Sequence, residues 1–125
     1  MKLAALTVPA EMTHIRTARL VAAAIASQAG LDPETVEDVR LAVGEAFVLS
    51  TRQATGNASS PANLELEFDL AADNTLCVRV QPCVLDESLA TLVVQAVVPR
   101  VTEDSSGLEM WWPGAGTTSS RQPVH

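Results

Sequence analysis

Residues 32–54 read DPETVEDVRLAVGEAFVLSTRQA and carry the strongest helical pattern in the chain. Asp32 followed by Pro33 is typical of a helix start, because aspartate caps free amide groups and proline suits the first helical position. Apolar residues then recur at intervals of three and four, which predicts a helix ending near Ala54 with one inward face. The members of that face are Val36, Val39, Val43, Ala46, Phe47 and Ser50.

The rest of the chain surrounds this helix with a second helix, strands and a third helix. Residues 13–29 predict a helix that Gly30 ends in a left-handed conformation. Alternating side chains predict strands over residues 3–8, 64–70, 76–80, 100–103 and 108–112. Residues 88–98 are apolar on nearly all sides and predict a buried helix. The order β-α-α-β-β-α-β-β predicts an α+β fold: a two-layer α/β sandwich with helices packed on one face of a mixed, mostly antiparallel sheet.

One domain accounts for the chain. It is expected to cover residues 1–112, followed by a flexible C-terminal tail over residues 113–125 that lacks periodic apolar residues. Glycine, asparagine, serine and proline crowd residues 55–61, which predicts a loop between the second helix and the next strand.

Composition limits the function classes. The 125-residue chain is 47% hydrophobic and carries 8 bases against 15 acids, a net charge of −7. Nucleic acid and anionic membranes would repel such a chain, so neither is expected as a direct partner. It lacks the long apolar segment of a signal peptide or a membrane span, so a cytoplasmic protein is the default expectation. Cys77 and Cys83 are expected to be free thiols in the core or at strand ends, because no further metal ligands stand close to them.

No nucleophile–base constellation stands out. The two histidines, His14 and His125, lie at a helix start and in the tail, so packing does not hold either one as the base of a triad. Gly114 and Gly116 belong to the tail, outside the strand-to-helix setting of a phosphate-binding loop. The acids at the start of the 32–54 helix suit the helix dipole and a solvated face.

The run DVRLAVGEA over residues 38–46 resembles the motif helix of the GHKL (Bergerat-fold) ATP-binding family. The nearest branch is that of RsbW-like bacterial anti-sigma factors, which double as serine protein kinases. The resemblance extends over residues 3–112. It includes the opening strand ending in Pro9, a helix carrying Arg16, the junction at 29–31, the central hairpin and the run VVPRV at 97–101. It implies the same α+β architecture as the residue pattern.

The resemblance also implies which residues should bind nucleotide, and this chain departs from that pattern. Glu45 keeps the family's glutamate position, but Leu49 stands where an asparagine binds magnesium, and leucine offers no oxygen ligand. Pro82 and Val84 fall on the aspartate and glycine positions of the adenine-binding box. The glycine-rich lid over the phosphates is reduced to residues 85–87.

Two further substitutions follow in the lid helix, where Ser88 and Ala90 replace glycines. The sequence therefore predicts a degenerate member with no catalytic residue, no cofactor and no metal. Glu45 is then expected to be structural, reaching solvent or pairing loosely with Arg52. Asp86 is the carboxylate that could stand in for the lost aspartate, an alternative that would rebuild the site.

What remains of the family's activity is protein binding. The resemblance implies a sigma factor, a STAS-domain anti-anti-sigma protein, or both as partners, held by a patch on the first helix. Arg16 matches the family's arginine there, and Glu11 and Arg19 are its neighbours. From the residues alone, Arg16 would be an ordinary solvated side chain. A homodimer is a further expectation, with the strand over residues 3–8 as its pairing element.

Three hypotheses follow. The first is an anti-sigma-like regulatory protein without kinase activity. The alternative is an active ATP-dependent serine kinase with a rebuilt site. The third is a stand-alone dimerisation or sensor module, with a small-molecule pocket in place of ATP. Trp111 and Trp112 point to opposite faces of the last strand, so one is expected in the core and the other under the tail or against a partner.

Overall fold

The computed structural model describes residues 1–55 and 63–114. The predicted loop at 55–61, apart from the backbone of its first residue, and the predicted tail beyond residue 114, with His125, lie outside the described residues. The elements are β1 (Lys2–Pro9), a 3-10 turn (Met12–His14), α1 (Ile15–Gln28), α2 (Pro33–Thr55), β2 (Asn63–Leu70), β3 (Leu76–Gln81), α3 (Leu89–Val97), β4 (Arg100–Glu103) and β5 (Leu108–Trp112).

The strands form one sheet in the order β1-β2-β3-β5-β4. All four pairings of these strands are antiparallel, so the predicted sheet is confirmed without the parallel pair that a mixed sheet would contain. Phe68 of β2 faces Val78 of β3, which in turn faces Met110 of β5. Because side chains alternate across a strand, these three residues share one face, and each is fully buried beneath the helices.

Local sequence signals set the ends of the helices as predicted. Gly30 has φ +90° and ends α1 in the left-handed region. The Thr35 amide donates to Asp32 Oδ1 at 2.8 Å, which caps the first turn of α2. Alanines 18, 22 and 26 of α1 are fully buried, and their small side chains let α1 lie close to its neighbours.

The third helix departs from the prediction. α3 was expected to be buried on nearly all sides, but Leu89 is 74% exposed and Leu92 is 60% exposed. Its inner face buries Ala90, Thr91 and Val94. The physical reason lies in the architecture, since helices on one face of a single sheet have no further layer above their outer side.

The two tryptophans and the two cysteines lie where the strand pattern placed them. Trp112 is buried, and its Nε1 donates to the Val97 carbonyl at 3.3 Å. Trp111 lies on the opposite face, where the Arg100 guanidinium sits 4.7 Å from its ring centre. Cys77 is half-buried and Cys83 is buried, both as free thiols. No helix within residues 1–55 and 63–114 is both long and apolar enough to cross a bilayer.

Candidate functional site

Helix α2 places Glu45 and Leu49 one turn apart, but in different surroundings. Glu45 is half-buried, whereas Leu49 is 2% exposed and belongs to the hydrophobic core. The carboxylate at the family's glutamate position therefore still reaches solvent. The position that the resemblance assigns to a magnesium ligand is instead part of the apolar interior.

The space between α2 and the loop after β3 is filled by side chains. Cys83 is 1% exposed, and its Sγ donates to the Ala46 carbonyl on α2 at 3.6 Å. Burial raises the pKa of the Cys83 thiol to about 11, and the nearby Ser50 hydroxyl partly offsets that shift. Ser50 Oγ is itself buried and has no hydrogen-bond partner of normal geometry among the described residues. These contacts form a packed helix–loop interface.

The short loop over residues 82–88 is organised by Asp86. Its Oδ1 accepts hydrogen bonds from the Ser88 amide at 2.8 Å, from the Ser88 hydroxyl, and from Thr91 Oγ1 at 3.0 Å. Arg52 Nη1 of α2 lies 3.4 Å from its other oxygen. The Ser88 bonds, with Thr91 and Arg52, lower the Asp86 pKa to about 2. Asp86, the carboxylate that could replace the family's adenine-binding aspartate, thus accepts hydrogen bonds at the N-terminus of α3.

The remaining substituted positions lie around this loop. Pro82 and Ser88 are half-buried, and Ala90 is buried under α3 at 4% exposure. Val84 is 45% exposed, so it faces solvent rather than the core to which Leu49 belongs. The described residues contain no group of three or more His, Cys, Asp or Glu side chains arranged to hold a metal ion.

The partner-binding candidates lie on the other side of α2. Glu11 precedes the 3-10 turn, and Arg16 and Arg19 lie one turn apart on α1. Glu11 and Arg16 are exposed, whereas Arg19 is half-buried. Within the described part of the chain, neither arginine has a carboxylate oxygen within ion-pair distance. Their cationic groups are therefore available to a partner.

The structure shows why Arg19 is half-buried. A Cβ built on Gly44 of α2 would lie 3.1 Å from both Cζ and Nη2 of Arg19, and closer still to Nε. The guanidinium thus rests on the helix backbone at the one place in the α2 core segment that lacks a side chain. A glycine inside a strongly predicted helix is a signal of close approach by another group, and Gly44 is such a glycine.

Arg19 also lines an open cleft of about 360 Å³ between α1 and α2. Glu37, Asp38, Arg40 and Leu41 of α2 form the other wall. Arg40 Nη2 binds Glu37 Oε1 at 2.7 Å within this wall. The cleft combines cationic, anionic and apolar groups at the boundary between α1 and α2.

A second polar cluster lies on the sheet face that carries no helix. Arg79 binds Asp104 at 3.2 Å and Glu109 at 3.0 Å across neighbouring strands. The Ser106 amide and hydroxyl, with Gly107 and Arg79, hold the pKa of Asp104 well below its usual range. This cluster ties the β4–β5 turn to β3, so its role is structural.

Comparisons with known proteins agree with this architecture. A sequence profile of the histidine kinase-like ATPase domain matches residues 8–108, whereas no curated protein matches the chain. Among solved structures, the crystal structure of the RsbU and RsbW domains of Rv1364c from Mycobacterium tuberculosis is similar, with TM-score 0.62 over 90% of this chain. The two are 18% identical, which shows a shared fold, and this chain spans 34% of the length of that one. The GHKL resemblance is confirmed by the profile, and the chain belongs to the histidine kinase-like ATPase domain family.

Proposed function

We propose that this protein is a non-catalytic regulator of the anti-sigma type, which binds a sigma factor, a STAS-domain antagonist, or both. The observation that carries the proposal is the burial of Leu49, 2% exposed, at the position of the family's magnesium ligand. A metal–nucleotide complex needs oxygen ligands and room for the phosphates. A leucine in the core supplies neither.

The surroundings of Leu49 support the same conclusion. Cys83 packs against the Ala46 carbonyl, and Ala90 is buried on the facing side of α3. The loop above them carries Asp86 and Glu87, both exposed, whose charges would repel a triphosphate. Asp86 is also bound by Ser88, Thr91 and Arg52, so using it for adenine would cost the start of α3.

The surface proposed for partners is the outer side of α1 with Glu11, Arg16 and Arg19. Arg19 lies against the α2 backbone at Gly44, and we expect this contact to limit its orientations before a partner arrives. Preorganisation of this kind lowers the entropy cost of binding. Such a protein would act in the cytoplasm, where its partners control transcription, and would not touch DNA itself.

Calorimetric titration with ATP and magnesium tests the loss of nucleotide binding. We expect no heat of binding with ATP up to about 1 mM, which corresponds to a binding free energy weaker than about −4 kcal/mol. A dissociation constant in the micromolar range would overturn the proposal and favour the alternative of a rebuilt kinase site.

Co-purification of the full chain from its own cells, with identification of bound proteins, tests the partner class. We expect a sigma factor or a STAS-domain protein, and the complex should weaken at least about tenfold in Arg16→Glu because the charge at the contact is reversed. Lys2→Glu is the matched control, since Lys2 is a surface cation on β1 that pairs with Glu67 at 3.6 Å. Recovery of neither partner class would contradict the proposal.

A further inference from the structure

Helix α3 presents an apolar stripe to solvent, formed by Leu89, Leu92, Val93 and Ala96. Leu89 and Leu92 are 74% and 60% exposed, Ala96 is exposed and Val93 is half-buried. These positions follow the spacing i, i+3, i+4 and i+7, which places them on one side of the helix. We call this surface the α3 stripe. Val84, 45% exposed, lies in the loop that leads into it.

The α3 stripe sits on a helix that is anchored at both ends. Asp86 binds Ser88 and Thr91 at the start of α3, and the Leu85 amide donates to Glu103 Oε2 of β4 at 2.8 Å. At the other end, Trp112 Nε1 donates to the Val97 carbonyl at 3.3 Å. The leucines are therefore displayed by a fixed element, which favours recognition of a partner with matching shape.

The polar surroundings of the stripe are acidic. Residues 89–97 contain no charged side chain, while Asp86, Glu87 and Glu103 are exposed around the start of the helix. Two described cations lie near α3: Arg52 is drawn to Asp86 at 3.4 Å, and Arg100, which follows the helix, lies over the Trp111 ring. A partner that covers the leucines must therefore meet carboxylates at the rim, and complementary charge favours lysine or arginine there.

The size of the stripe argues against a homodimer. Leu89, Leu92 and Val84 together expose on the order of 300 Å² of apolar surface. A stable protein–protein interface buries about 800 Å² per partner. A second copy would also bring the same acidic rim against this one. The area fits instead a single helix laid along α3.

We propose that the α3 stripe docks an amphipathic helix of another protein, whose apolar ridge is flanked by lysine or arginine. The docked helix lies against Leu89 and Leu92, and its cations face Glu87 and Glu103. This surface is separate from the α1 surface, so it does not depend on a sigma factor or STAS protein being the partner there.

The experiment uses two synthetic helices of about 18 residues, a length at which an isolated helix can form. Both carry leucines at i, i+3, i+4 and i+7. One has flanking lysines and the other has flanking glutamates. We expect the lysine peptide to bind the full chain at least about tenfold more tightly than the glutamate peptide, measured by fluorescence anisotropy. Binding should weaken as salt is raised from about 0.05 to about 0.5 M.

Variants of the protein test whether the lysine peptide binds at α3. The double variant Leu89→Gln and Leu92→Gln should lose at least about tenfold in affinity for the lysine peptide, because both apolar anchors are removed. The matched control is Leu20→Gln with Leu41→Gln, which changes exposed leucines of α1 and α2 at 55% and 42% exposure and should bind as the parent does. The double variant Glu87→Gln and Glu103→Gln should make binding of the lysine peptide less dependent on salt, because it removes the rim carboxylates.

Four results would overturn the proposal: no binding, equal binding of both peptides, unchanged binding by the Leu89 and Leu92 variant, or sedimentation showing a dimer that this variant abolishes. The last would assign the stripe to a second copy of this chain. Circular dichroism of each variant separates loss of binding from loss of fold.

Discussion

Helix α2 contacts two helices, and the two interfaces differ in kind. Toward α3 it is packed: Ala46, Leu49 and Ser50 are buried, and Cys83 Sγ donates to the Ala46 carbonyl. Toward α1 the interface is open outside the buried alanines of α1. Arg19 lies over Gly44 there, and a cleft of about 360 Å³ lies beside it. One helix thus presents a sealed interior on one side and charged, accessible groups on the other.

The two interfaces place different constraints on the residues that form them. A packed interface is sensitive to a change of a single methylene, so residues there specify stability. An open interface tolerates substitution, and its charged groups contribute binding free energy and specificity only when a partner binds. The motif helix of an ATP-binding family is here divided between these two roles, as the proposed protein-binding function requires.

On the packed side the largest loss of stability is expected for Leu49→Asn, which introduces the residue that the resemblance implies as a magnesium ligand. We expect a loss of about 3 kcal/mol in the free energy of unfolding, because the change removes core contacts and buries an amide. ATP binding should not appear. Urea denaturation and calorimetry measure the two effects.

Leu41→Asn is the control, since Leu41 is 42% exposed on the open side of the same helix. Its unfolding free energy should change by less than about 0.5 kcal/mol. If Leu49→Asn were equally mild, or if it bound Mg-ATP, the packed description of the α2–α3 interface would be wrong.

The open side is tested by Gly44→Ala. Alanine favours a helix over glycine by about 1 kcal/mol, but the new Cβ must push Arg19 aside. We expect a net stabilisation below that value in the parent and the full value in an Arg19→Ala background. Thermal or urea unfolding of the four proteins gives the coupling between the two residues as a double-mutant cycle.

A coupling of about 0.5 kcal/mol would measure the Arg19–Gly44 contact. Additive changes would mean that Arg19 does not rest on the helix. In that case its preorganisation could not contribute to partner binding.

Most of the fold could be predicted because it rests on local signals. Alternation in β2 and β3, the Asp32–Pro33 start and Gly30 each act over a few residues, and the structure confirms all of them. The outer face of α3 could not be predicted in this way. Leu89 and Leu92 are apolar like the residues beneath them, so only the tertiary arrangement shows that no layer covers them.

The candidate site divides in the same way between features with a local sequence signal and features set by contacts between elements. The resemblance points to Leu49, four residues after Glu45, but its burial at 2% exposure depends on how α2 packs against other elements of the fold. The contact between Arg19 and Gly44 likewise joins two helices, and no periodicity within either one contains it. Contacts between elements set both features, which is why sequence patterns gave candidates without their geometry.

A smaller change in stability tests whether the buried Ser50 hydroxyl on the α3 side has a hydrogen-bond partner. Ser50 Oγ is buried and has no hydrogen-bond partner of normal geometry among the described residues. Ser50→Ala should therefore leave the unfolding free energy unchanged or raise it by up to about 1 kcal/mol. Thr51→Val is the contrast, since Thr51 Oγ1 donates to the Val48 carbonyl at 2.8 Å and its loss should cost about 1 kcal/mol. A clear destabilisation by Ser50→Ala would show that the hydroxyl has a partner, with Cys83 the first candidate.

The smallest effect concerns Asp86, which closes the α3 side at its exposed rim. Hydrogen bonds from Ser88, then Thr91 and Arg52, lower its pKa to about 2 from an ordinary value of 3.8. A carboxylate whose pKa is lower in the folded state stabilises the fold above its ordinary pKa, and that contribution is lost as pH falls toward the folded value. Stability should thus decline between about pH 4 and pH 2, and Asp86→Asn should reduce that decline.

Glu87→Gln is the control: it removes a charge one residue away and should leave the decline of stability with pH unchanged. Urea unfolding across this pH range decides between them: if Asp86→Asn declines with pH as the parent does, the bonds to Ser88 and Thr91 do not hold the start of α3, and the fixed display of its leucines loses its support.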